Sequence, residues 1–424
     1  MKKPNKKLTW LARALGAGAM LTTSVAAFAG LLPSMNEKPM TAWTMVYGTE
    51  KPQQKPSALL FGVIQPGYAY SQTSNANGTV NGYSQFKFYR VRPGIRGSIG
   101  PNIDYFFLAE FANNAANPNT APGVNASARV MDGNVTLNYI PGVHVQVGQM
   151  LIPFGEEGAT AAGVLPWINY SPATYNIDFN QFATTPAPNG IAGPNGGLFD
   201  AGREMGVMAF NQFVRGPMAV DYAVGYFNGT GLSQTQSSMG HPDQAFVHGG
   251  FDFGPLGIAG SYETGRYSLA YGSGSFHQNR YAIDLRYGNY IKDPLWLWYE
   301  YQHSNSGQPA AQGNGMARGW FAAAGFHPVK KYMGVFRYST FNTENLDTVT
   351  AGGPTPAGYT AAPEQPASPA VSLDQESLVG VYLARKGVRY YVEFDHTTYN
   401  NSTLHADNAV SVMLSVPFGV RLLH

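Results

Sequence analysis

Asn408-Ala409-Val410-Ser411-Val412-Met413-Leu414-Ser415-Val416-Pro417-Phe418-Gly419-Val420-Arg421-Leu422 decides the fold by its alternation. Val410, Val412, Leu414, Val416, Phe418, Val420 and Leu422 fall on one face, while Ser411, Ser415 and Arg421 fall on the other. Period two marks a strand whose faces meet different surroundings. The pattern recurs where Val143, Val145 and Val147 alternate with His144, Gln146 and Gly148. It recurs again at Tyr281 to Tyr287 and at Val388 to Phe394. Helical periodicity is weak throughout.

Working outward, the same signal predicts strands at 58–72, 84–98, 103–112, 128–140, 143–152, 203–214, 218–228, 246–253, 256–267, 280–290, 294–303, 319–327, 331–341, 376–386, 388–398 and 408–422. Seven connections are short and carry turn residues, such as Pro141-Gly142, Gly216-Pro217 and Gly254-Pro255. Eight others are longer and rich in Asn, Gly, Ser, Pro and Thr, with two very long ones at about 153–200 and 342–375. One more long loop than short turn is what an even antiparallel barrel gives when both termini lie on one side. The expected fold is therefore all-β: a transmembrane antiparallel β-barrel of sixteen strands, with short periplasmic turns and long extracellular loops. Closure satisfies every ladder N–H and C=O in lipid and leaves no sheet edge. Tyr281 with Tyr287, and Tyr332 with Tyr338, sit at the two ends of outward faces, as aromatic girdles do.

Composition agrees. Only 12% of the 424 residues are charged, against about 25% in average soluble domains. Aromatics reach 13%, too many for a disordered chain. The absence of Cys excludes disulfide scaffolds, thiolate zinc sites, c-type haem attachment and iron–sulfur clusters. The formal charge of +2 excludes a strongly basic nucleic-acid binder. Residues 1–29 read as an export signal: Lys2, Lys3, Lys6 and Lys7, an apolar stretch from Leu11 to Ala27, then Ala27-Phe28-Ala29. Without that segment the chain has 22 basic and 25 acidic residues. Residues 30–57 read as a periplasmic N-terminal extension, and 58–424 as the barrel. Ala351 to Ala370, with five Pro, reads as an exposed loop.

Several stretches resemble a known family. Phe88-Tyr89-Arg90-Val91-Arg92-Pro93-Gly94-Ile95-Arg96-Gly97, Gly148-Gln149-Met150-Leu151-Ile152-Pro153-Phe154-Gly155-Glu156-Glu157, Arg203-Glu204-Met205-Gly206-Val207 and Tyr226-Phe227-Asn228-Gly229-Thr230-Gly231 resemble, in order and spacing, segments of the phosphate-selective porin O and P family. The resemblance covers about 84–231. It implies a sixteen-stranded, usually trimeric channel in the outer membrane of a Gram-negative bacterium, with an inward-folded third loop. The family's phosphate-selective members use many pore lysines. Here only eight Lys follow the signal segment, of which Lys87, Lys331 and Lys386 fall in strands. His424 stands last, where most such barrels end in Phe.

Arg90, Arg92 and Arg96 share one strand face with Gly94. Arg facing lipid at midplane costs about 2–4 kcal/mol, so this face lines the lumen. Glu156 and Glu157 open the loop that in the family enters the pore. The expected site is a constriction with Arg90, Arg92 and Arg96 on one wall and these carboxylates opposite, tolerant of anions. A bland alternative is that the arginines solvate the wall or tie the loop down. Arg286, Arg337 and Arg389 are further lumen-phase cations, mixed with Asp221, Asp284, Glu300 and Glu393. The 153–200 segment, with Trp167, Tyr170, Tyr175, Phe179 and Phe182, either packs inside the barrel or latches onto a neighbour.

Catalysis is not expected. Asp395-His396 and His405-Ala406-Asp407 flank one loop, but no G-x-S-x-G or H-E-x-x-H motif occurs, and no His pair has i,i+4 spacing for a metal. Two functions fit. One is a porin for passive diffusion of small hydrophilic solutes, mildly anion-preferring, with no cofactor, membrane lipid around it and its own copies as partners in a homotrimer. The other is a structural sheath enclosing a multihaem cytochrome in an electron conduit, which would suit inward Met150, Met208 and Phe210.

Overall fold

The computed structural model describes residues 47–75, 80–112, 128–179, 202–229, 243–268, 275–307, 315–344, 372–400 and 404–423. The expected export segment and the Pro-rich stretch at 351–370 lie outside these residues. Sixteen strands form one closed antiparallel barrel, each paired to its sequence neighbours. They are β1 (Ser57–Asn75), β2 (Val80–Gly100), β3 (Ile103–Glu110), β4 (Arg129–Ile140), β5 (Val143–Leu151), β6 (Arg203–Arg215), β7 (Met218–Phe227), β8 (Asp243–Phe253), β9 (Leu256–Ser268), β10 (Ser275–Tyr287), β11 (Leu295–Gly307), β12 (Gly315–Val329), β13 (Tyr332–Glu344), β14 (Ser372–Leu383), β15 (Arg389–Asn400) and β16 (Leu404–Leu423). β1 closes on β16 from Ala58↔Leu423 to Asn75↔Leu404.

Every expected strand is present. The main difference is at the long-loop end. β1 and β2 run past their expected ends until only residues 76–79 join them, and only 401–403 join β15 to β16. Two of the eight expected long loops are therefore short. Ser, Asn and Thr carry no apolar alternation, yet their backbones complete the ladder once the strands below fix the register.

Burial follows the alternation. Val412, Val420 and Leu422 are exposed on the outer face of β16, while Ser411, Met413 and Ser415 are buried inward. Outer aromatics touch laterally at two levels. Tyr332, Tyr382 and Tyr390 form a row near the short turns, with ring centroids 5.1 and 6.0 Å apart. Tyr299, Trp320 and Tyr338 form another nearer the long loops, at 6.0 and 5.5 Å. Such rows suit the two membrane interfaces.

β2 carries one irregularity that matters. Gln65 pairs Arg90 and Pro66 pairs Phe88, so Tyr89 is an extra residue, a β-bulge. Pro66 has no N–H for the ladder, which favours the bulge at this point. Below it Arg90, Arg92, Gly94 and Arg96 keep the inward phase, and Tyr89 itself is buried.

The lumen is occupied by the chain itself. Residues 152–179 fold inward between β5 and β6, with a short helix α1 (Glu156–Ala159) and a π-helical turn at Thr174–Phe179. Trp167 is buried against Trp298 and Phe321, with centroids 5.3 and 5.5 Å away. The described part of this segment therefore packs inside the barrel; Phe182 lies outside the described residues. Met150, Met208 and Phe210 are covered by Ile177 and Tyr47. The apolar inward positions that suggested an enclosed cytochrome thus face the protein's own residues. The expected periplasmic extension also enters: Tyr47 stacks on Phe210 at 4.2 Å, and Thr49 is fully buried near Thr136.

Trp296 covers Gly325, its cross-strand partner, so closely that a Cβ there would lie 2.0 Å from the indole. Gly325→Val is expected to displace Trp296 and cost about 1–3 kcal/mol. It should lower the temperature at which the barrel loses its compact electrophoretic mobility in SDS. Gly334→Val, with open space around its Cβ, should shift that temperature little.

Candidate functional site

A chain segment inside a barrel brings backbone N–H and C=O groups that need partners. The wall provides them by charge. Three wall carboxylates take loop N–H groups: Asp284 accepts from Glu156 N at 3.1 Å, Glu300 from Glu157 N at 2.8 Å, and Glu393 from the Ile168 and Asn169 amides. Wall guanidiniums take loop carbonyls. Arg337 donates to Asn169 O at 2.8 Å, Arg389 to Val164 O at 2.9 Å, Arg280 to Ile177 O and Asp178 O at 3.0 Å each, and Arg90 to Ile168 O at 3.4 Å.

Gly155 makes the entry to α1. Its φ is +70°, and a Cβ would meet Glu300 Oε1 at 2.7 Å. Only glycine takes this conformation and approach without strain. Phe154, fully buried before it, lies under the Arg280 guanidinium at 4.5 Å.

Glu156 and Glu157 do not face Arg90, Arg92 and Arg96 as expected. They belong to the opposite side of the loop. Glu156 pairs with Arg286, which also holds Asp252 at 2.7 Å. Burial raises the Glu156 carboxyl to about 7, against the pull of Arg286, so Glu156 gives up its negative charge as the pH falls through that value and leaves Arg286 to Asp252. Glu157 is fully buried, accepting from Trp167 Nε1 at 2.7 Å, from Ser171 N at 3.0 Å and from Arg337 at 3.4 Å. Arg337 also lies 3.6 Å from Glu393. The physical reason is the helix geometry: α1 is a single turn pinned by its N–H groups to β10 and β11, which carries both carboxylates to that wall.

Arg90, Arg92 and Arg96 do line one wall, but their counter-charges come from elsewhere. Arg92 Nε lies 2.7 Å from Glu110 and Arg96 Nε lies 3.0 Å from Glu50. Arg90 is buried with neutral partners, Gln65 Oε1 at 3.0 Å and the Tyr170 ring at 5.2 Å. Arg203 holds Asp132 at 2.9 Å. These four arginines and Arg389 line one cavity of about 350 Å³, whose other side is the loop from Gly158 to Val164. Among the residues lining it, Asp132 carries the one carboxylate. Nothing in the sequence pattern marks Glu50, Glu110, Asp132 and Arg203 as charges in or beside one cavity. Glu50 in particular arrives from outside the strands.

Asp395 and His396 are split by the wall. Asp395 points inward and accepts from Ser377 Oγ, while His396 faces outward, 2.8 Å from Asn408. Side by side in sequence, they share no site. Among the described residues no His, Asp and Glu group has metal-binding proximity.

The wall and the inward-packed loop define a closed sixteen-stranded barrel of porin type. Residues 63–236 match the family model described as phosphate-selective porin O and P, a span that contains Arg90, Arg92, Arg96 and the inner loop. None of the curated proteins matches this chain. Among solved structures, an anion-selective porin from Comamonas acidovorans is similar at TM-score 0.58 and 14% identity, covering 86% of this chain and 100% of its own. The outer-membrane channel DcaP of Acinetobacter baumannii gives 0.53 at 12%, covering 87% and 99%. Salmonella typhi OmpF gives 0.51 at 14%, covering 85% and 97%. At these identities the likeness is one of fold; with the family match it indicates the bacterial outer membrane.

Arg337→Met should leave Glu157 and Glu393 buried without their cation, a loss of about 3–5 kcal/mol. The expected result is a barrel that still forms but whose loop undocks. Single-channel recording in a planar bilayer should then show larger and noisier conductance than the parent.

Proposed function

We propose that this protein is an outer-membrane diffusion channel for small hydrophilic solutes, with a preference for anions set at the arginine-lined cavity. The observation that carries the reading is the charge balance there: five arginines against Asp132, with Glu50 and Glu110 as partners from beside it. Arg90 and Arg389 contact only neutral groups among the described residues. An enclosed, low-dielectric passage with excess positive charge raises the local anion concentration. The fold and the family match support the channel class. A homotrimer in the outer membrane of a Gram-negative bacterium belongs to the same reading, as does transport without catalysis or cofactor.

The wall charges divide by role. Arg280, Arg286 and Arg337 hold the loop with carboxylates, whereas Arg90 and Arg389 add net charge to the passage. Arg92 and Arg96 are tuned by their partners.

The test is conductance and reversal potential in a KCl gradient across a planar bilayer. An anion-side reversal potential is expected, and no channel-sized conductance would sink the reading. Arg90→Gln with Arg389→Gln should move the potential toward cations. Glu50→Gln should move it the other way, by releasing Arg96 from its carboxylate.

A further inference from the structure

The arginine cavity interleaves guanidiniums with apolar side chains, as where Arg96 lies 5.0 Å over the Phe61 ring. Phe61, Val63, Phe106, Leu108, Tyr170 and Pro417 line it together with the guanidiniums. Val63, Phe106 and Leu108 are buried there against the wall. An inorganic anion is a poor match for such a lining. It would give up hydration against hydrocarbon that cannot hydrogen-bond to it.

The arginines are equally unusual. Each guanidinium carries five N–H donors. Arg90 uses hydrogen bonds to Gln65 Oε1 and Ile168 O, and Arg389 to Val164 O and Tyr391 Oη. Neither meets a carboxylate among the described residues. Arg90 is buried and Arg389 half-buried, and a buried cation without a counter-charge is costly, so the balance favours an anion supplied from solution. Guanidinium forks match carboxylates in shape. At about 350 Å³ the cavity lies at the lower end of small-molecule sites, which run from about 300 to 1,000 Å³.

We infer that this cavity is a binding station for small monocarboxylates with an apolar body, aromatic or branched aliphatic, the carboxylate held by Arg90 and Arg389 and the body packed on Phe61, Val63 and Leu108. The inference rests on the anion-channel reading and narrows it from anions in general to amphiphilic ones. The ring of Tyr170, already under Arg90, offers a stacking face beside the guanidinium.

Benzoate is the probe. The full-length barrel in detergent is titrated by calorimetry with benzoate, acetate (charge without ring) and benzyl alcohol (ring without charge), each corrected for micelles alone. Saturable benzoate binding is expected, at least tenfold tighter than either comparator. Arg90→Gln with Arg389→Gln, each amide still able to donate to its loop carbonyl, should weaken benzoate at least tenfold in a barrel of unchanged electrophoretic mobility. Acetate binding as tightly as benzoate, no benzoate binding, or undiminished binding to the folded double variant would each overturn the proposal. The comparison of probes on the unmodified protein decides the matter if the double variant does not fold. Calorimetry needs no conduction. Benzoate binding without conductance would therefore sink the channel reading alone, and anion-selective conductance without benzoate preference would sink this inference alone.

Discussion

A peptide segment folded into a barrel must find a partner for each polar backbone group that leaves water, and here the partners are charged side chains of the wall. Asp284, Glu300 and Glu393 receive the loop's N–H groups; Arg280, Arg337, Arg389 and Arg90 address its carbonyls. Charge-assisted hydrogen bonds of this kind are about twice as strong as neutral ones. The loop's path, the position of α1 and the shape of the cavity all follow from where these side chains stand on the strands.

The same economy explains why the lumen is rich in both signs yet asymmetric in effect. The inward arginines of β10 and β13 each have a carboxylate: Arg280 has Glu263, Arg286 has Asp252 and Glu156, Arg337 has Glu157 and Glu393. That part of the wall is electrically balanced and mechanically firm. Around Arg90 and Arg389 the balance fails, and the field of the passage is concentrated there. Under the proposed anion preference, what counts is which arginines lack a carboxylate among the described residues, more than how many arginines there are.

The barrel was legible because a lipid-facing surface leaves one constraint on every second residue. Val410 to Leu422 could hardly be read otherwise, and the turn residues at Pro141-Gly142 or Gly254-Pro255 mark the chain reversals locally. The inward Arg face was legible for the same reason. The partners were not. Glu156 and Glu157 follow the wall motif in sequence, but a single helical turn pinned to β10 and β11 carries them away from Arg90. Glu110 and Asp132 look like any other lumen-phase carboxylate until the strands are placed side by side. The depth of the loop was half legible: Trp167 is too apolar for water, but its neighbours Trp298 and Phe321 lie more than a hundred residues away. Where β1, β2, β15 and β16 end was invisible, because polar strand ends owe their order to the ladder below them.

Glu50 sits on a different footing from the charges carried by the strands. It reaches Arg96 from a strand-free segment, beyond the exposed residues Lys51, Pro52, Lys55 and Pro56 that lead into β1. Its carboxylate is thus a removable fitting of the pore: trimming, pulling or displacing the leading segment would alter the charge of the passage without breaking one interstrand hydrogen bond.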